Sequence, residues 1–86
     1  MINELKNKLE ELARIEEIAN KASEEYETEP TNEAKEKAFD EAYKAEFYAF
    51  IEARDFIVEA TNGRINKYTA DLMLKHNRNE ILNRIA

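Results

Sequence analysis

The stretch AEFYAFIEARDFIV, residues 45–58, decides how this chain folds. Ten of its fourteen residues are apolar, in a chain that is otherwise polar and acidic. A helix lying on one core needs one apolar face, yet here apolar side chains run almost all the way round. At about 100° per residue they divide into two surfaces. Ala45, Ala49, Ala53 and Phe56, with Phe50 and Ile57, make one broad face. Phe47, Tyr48, Ile51 and Val58 make a separate strip. One or two turns earlier, that second side carries Glu33, Lys37, Asp40 and Lys44. The extra strip is therefore local. Either a later helix covers it or another chain does.

Working outward, the broad face continues in both directions as Ala34, Ala38, Ala42 and Ala60, with Phe39 and Tyr43 beside them. The spacing predicts one helix from about residue 32 to 61, capped by Thr31 or Asn32 and ended by Asn62-Gly63. Before it, Leu5, Leu9, Leu12, Ile15, Ala19, Ala22 and Tyr26 recur three or four residues apart. That is one helical stripe over about residues 3–26, with Asn3 as its expected cap. Pro30 has no N–H and restricts Glu29, so the first helix stops before it. Small residues at repeats of three and four let two helices approach closely. Joined by a short turn, these two should form an antiparallel hairpin.

The third segment starts at Ile65-Asn66, with Asn66 as cap and Ile65 placed to staple onto Ala70. Tyr68, Leu72, Leu74, Ile81, Leu82 and Ile85 supply its apolar contacts. The segment reads as a helix over 67–84, but its apolar residues fall on two strips. A kink or restart at Asn77 or Asn79 would reconcile them. The expected fold is all-α: a long antiparallel hairpin with a third helix closing one end, a three-helix bundle that pairs as a dimer. It fills a single domain, residues 1–86, as suits 86 residues.

Composition narrows the function classes. There is no Cys, so no disulfide and no thiolate metal site, which suits a reducing compartment. No run approaches the ~18–20 apolar residues of a membrane span, and the N-terminus lacks the apolar block of a signal peptide. The expected location is the cytoplasm. Catalysis has little to draw on: one His, no Ser/His/Asp set, and a lone Gly63 instead of a phosphate-cradling loop. His76 and Glu80, four residues apart, read as a surface helix pair and not as half of a metal site. No metal or cofactor is expected.

The net charge of −6 is unevenly spread. Residues 1–61 carry 17 acids and 8 bases, whereas residues 62–86 carry 2 acids and 5 bases. The acids of the first helix recur about every seven residues. Glu10, Glu17, Glu24 and Glu25 form a ridge that reads first as a solvated face. The sharper reading is a rod of negative charge imitating a nucleic-acid backbone. Arg64, Lys67, Lys75 and Arg78 make a basic end, which suggests the second helix of a helix-turn-helix. The negative remainder would repel phosphate, so direct nucleic-acid binding is disfavoured. These cations are better placed against the hairpin's carboxylates.

In character the chain resembles the small acidic helical proteins of phages and mobile elements, some of which inhibit host defences such as CRISPR nucleases. The likeness lies in size, charge and helicity, and no motif is matched residue by residue. Three function classes follow. The favoured one is a non-enzymatic protein–protein interaction protein, self-associating through Phe47, Tyr48, Ile51 and Val58. The second is an acidic inhibitor of a nucleic-acid-binding protein, and the third a DNA-binding regulator using the last helix.

Overall fold

The computed structural model describes residues 2–85. Its elements are α1 (Ile2–Thr28), α2 (Glu33–Ala60), α3 (Lys67–His76) and α4 (Arg78–Ile85), with no strand among the described residues. Helices α1 and α2 pack closely along each other. The molecule is a rod of 46 × 19 × 19 Å.

Local chemistry sets most boundaries. Helix α1 runs two residues past Tyr26 and ends at Thr28, ahead of Pro30. Asn32 caps α2, its side-chain oxygen accepting from the N–H groups of Ala34 (3.0 Å) and Lys35 (3.2 Å). Its amide donates back to Glu29 at 3.0 Å, and Lys35 pairs with Glu29 at 3.0 Å. The hairpin turn is thus held by side chains as well as by the backbone hydrogen bond that Asn32 N–H donates to the Glu29 carbonyl. Asn3 does not cap α1: the helix already includes Ile2, which puts Asn3 inside its first turn, whereas a cap lies outside the helix.

At the far end of α2, Thr61 is the C-cap and Asn62 takes the left-handed conformation (φ 52°), followed by Gly63 (φ 81°). The Gly63 N–H bonds to the Val58 carbonyl and the Asn62 N–H to that of Glu59, which is the Schellman arrangement. The left-handed terminator expected at Gly63 therefore begins one residue earlier. Thr61, 8% exposed, donates its hydroxyl to the Ile57 carbonyl (2.9 Å) and accepts from the Ile65 N–H (3.1 Å). That one side chain sets the angle at which the chain leaves α2. Asn66 then caps α3, accepting from Thr69 N–H at 2.8 Å.

The segment that reads as a helix over 67–84, with a kink or restart at Asn77 or Asn79, is two helices separated at Asn77 (φ −150°, ψ 51°). Among the described residues there are four helices where a three-helix bundle was expected. The break lets α3 pack on α2 while α4 turns to lie against α1 and α3. It also corrects the assignment of apolar contacts. Helix α3 buries Ala70, Met73 and Leu74, at spacings of three and one, and leaves Tyr68 and Leu72 exposed on its outer side. Met73 was not among the expected contacts. The shorter helix places it inward, because only one face of ten residues meets α2.

The core gathers at the capped end. Leu5, Leu9 and Leu12 of α1 meet Ala53 and Ile57 of α2, together with Ile65, Ala70, Met73, Leu74 and Ile81. Full burial of each large side chain contributes roughly 1.5–3 kcal/mol. Away from this end the hairpin continues as a two-helix arm. Ala19 is buried there, and the Tyr26 ring meets Phe39 edge-on at 5.5 Å. The alanine stripe works only in part. Ala42 and Ala49 are half-buried and Ala53 fully buried, while Ala34, Ala38 and Ala45 are exposed.

Candidate interaction surface

Helix α3 is ten residues long, so it covers α2 only part of the way from Gly63 toward the hairpin turn. The apolar strip of α2 shares its fate unequally. Val58 packs on the core and Ile51 is half-buried. Phe47 and Tyr48 lie beyond and stay 55% and 68% exposed. Their rings meet edge-on at 5.9 Å. Tyr43, on the neighbouring side of α2, is 61% exposed and stacks on Phe39 at 6.2 Å. Three aromatic side chains within six residues of one helix are therefore open to water.

Where α3 ends, a groove of about 410 Å³ opens between the arm and the cap. Its apolar wall is Tyr43, Phe47, Phe50 and Ile51. Its polar wall comes from three helices: Glu16 of α1, Glu46 and Arg54 of α2, and Asp71 and Lys75 of α3, joined by Arg78 at the start of α4. The charges are largely matched. Arg78 Nη1 and Nη2 donate to the two Glu16 oxygens at 2.6 and 3.0 Å, a bidentate pair that spans 62 residues. The same guanidinium donates to the Leu74 carbonyl at 3.1 and 2.9 Å, closing the last turn of α3. The bond to Glu16 raises the Arg78 pKa further. Lys75 pairs with Asp71 at 2.9 Å and sits 5.8 Å from the Phe50 ring centroid. Glu46 shares the groove, and burial, followed by the nearby Glu16 charge, pushes its carboxyl above the usual range.

The residues singled out by sequence fall into different places. Phe47, Ile51, Lys75 and Arg78 come together in this groove, whereas Tyr48 and Val58 lie outside its lining. The basic end is not one patch: Arg78 and Lys75 are engaged with Glu16 and Asp71, while Arg64 and Lys67 are exposed near the α2–α3 turn. Glu10, Glu17, Glu24 and Glu25 are all exposed on α1, and none takes part in an ion pair among the described residues. His76 and Glu80 do not share a helix, because the break at Asn77 falls between them. Among the described residues no group of three or more His, Cys, Asp or Glu side chains is placed to hold a metal ion. No described helix is long and apolar enough to cross a membrane.

Glu16, Glu46, Arg54 and Asp71 were not anticipated as members of a site. Glu46 and Arg54 had a local signal, since both lie within two turns of Phe47 and Phe50 on one side of α2. Glu16 had none, because its partner is 62 residues away and reaches it only through the α3–α4 break. No family model matches the chain, and no curated protein and no solved structure shows significant similarity to it.

Proposed function

We propose that this chain is a non-enzymatic interaction protein of the cytoplasm that associates with itself through α2. The observation that carries the reading is the exposure of Tyr43, Phe47 and Tyr48 together, on the helix that also forms the core. Burying a Phe-sized side chain contributes roughly 1.5–3 kcal/mol, so leaving these in water forfeits several kcal/mol. Contiguous exposed apolar surface of this kind marks interfaces. A two-fold dimer is the commonest way for one copy to cover another. In light scattering at micromolar concentration the chain is expected to run as a dimer. Ile51→Glu is expected to run as a monomer that keeps its helical circular dichroism. A wild-type monomer would sink the reading.

A second reading is favoured by the unpaired ridge Glu10, Glu17, Glu24 and Glu25. As a row of uncompensated carboxylates on an exposed rod, it suits a phage-like inhibitor that occupies the basic groove of a nucleic-acid-binding host protein. The ridge lies on α1 and the aromatic strip on α2, so the two readings are compatible.

A further inference from the structure

We infer that the self-associating surface pairs α2 antiparallel with α2 of a second copy, in the register that sets Tyr48 against Ile51 of that copy. The inference rests on the self-association reading above. At about 100° per residue, Lys44, Tyr48, Ile51 and Asp55 fall within a strip about 60° wide. Their spacings of four, three and four residues are those of a coiled-coil seam. Three of the four are open, since Lys44 is exposed, Tyr48 is 68% exposed and the Asp55 side chain is half open, and Ile51 is half-buried. Helix α3 does not cover it, since α3 meets α2 on the side of Phe50 and Ile57.

The charges choose the direction. Lys44 lies one turn before the apolar pair and Asp55 one turn after it. In an antiparallel two-fold pairing centred between Ala49 and Phe50, Tyr48 packs beside Ile51 of the second copy and Lys44 faces its Asp55. Symmetry repeats both contacts, so the seam has two apolar layers flanked by two ion pairs. Arg54 is adjacent to the seam, 3.2 Å from Asp55 in the single chain, and the second copy brings Phe47 alongside it. A guanidinium resting on that ring gains a cation–π contact. A parallel pairing would set Lys44 against Lys44 and Asp55 against Asp55, so the same pattern opposes it. Self-complementary surfaces of this kind are what an isologous dimer requires.

Two measurements test the register apart from self-association itself. The chain has no cysteine, so Lys37→Cys carries a single nitroxide label. Antiparallel pairing in this register places the two labels about 25 residue rises apart, roughly 38 Å along the axis. A distance near the ~10 Å of adjacent helix axes would mean parallel pairing and overturn the inference. Charge exchange is the second measurement. Lys44→Asp and Asp55→Lys should each raise the dimer Kd by about tenfold or more, and the double variant should return it to within about threefold of wild type. A double variant as weak as the singles, or singles as tight as wild type, would overturn the register while leaving a dimer of another geometry. A wild-type monomer would overturn the self-association reading as well.

Discussion

Glu46 is the residue most at odds with its surroundings. It stands on α2 next to Phe47, partly buried in the groove, with the Glu16 carboxylate close enough to oppose its charge. Its pKa in the folded protein is raised above its ordinary 4.5, first by burial and then by Glu16. Arg78 does not relieve it, because both terminal nitrogens of that guanidinium are directed at Glu16 and the Leu74 carbonyl. The linkage has a definite sign. A raised folded pKa contributes stability that is present below the unfolded value and is lost as pH rises through the folded value. At neutral pH the ionised Glu46 therefore costs stability. Glu46→Gln is expected to raise the melting temperature at pH 7, and the gain should be smaller at pH 4, below the ordinary 4.5. Thermal melts of both proteins at the two pH values check this; a gain that is the same at both would show that charge is not the cause.

At the scale of the element, the end of α2 carries the most consequence for its size. The Thr61 hydroxyl bridges the Ile57 carbonyl and the Ile65 N–H in a buried position, so it joins the last turn of α2 to the chain that leads into α3. Thr61→Val keeps the shape but leaves the Ile65 N–H without its partner. That costs about 1–3 kcal/mol. For a chain of this size each kcal/mol lowers the melting temperature by roughly 4–8 °C. Thr61→Ser, which keeps the hydroxyl, should lose much less, and chemical denaturation of the two variants separates the hydrogen bond from the methyl group. The helix starts at Asn32 and Asn66 were legible because a cap is a local device, read from one side chain and the N–H groups two or three residues on. Asn3 misled for the same reason: its type suits a cap, and nothing local says that the helix has already begun. The break at Asn77 was visible only as two apolar strips that one straight helix did not reconcile. Its position follows from what each half packs against, and from Arg78, which closes α3 at Leu74 and ties α4 to α1.

For the whole molecule, the distribution of charge is a property of shape as much as of sequence. The cap brings Arg78 to Glu16 and leaves the ridge of Glu10, Glu17, Glu24 and Glu25 facing water. If that ridge occupies a basic groove, capture of a nucleic-acid-binding host protein should weaken steeply with salt, because the Debye length falls from about 8 Å at 0.15 M to about 3 Å at 1 M. Glu17→Gln with Glu24→Gln should weaken that capture, whereas Ile51→Glu should leave it unchanged. Salt-insensitive capture in a pull-down would remove charge imitation from consideration.

The sequence by itself determined the all-helical class, the close pairing of the first two helices and the existence of two apolar surfaces on α2. Those are consequences of periodicity, caps and a single proline, all of which act within a few residues. Only the tertiary structure decided how far the last segment reaches along α2. That length depends on where the chain breaks, and the break depends on contacts among residues many turns apart. It is the reason Val58 is packed, Ile51 is half-buried in the groove, and Phe47 and Tyr48 remain open.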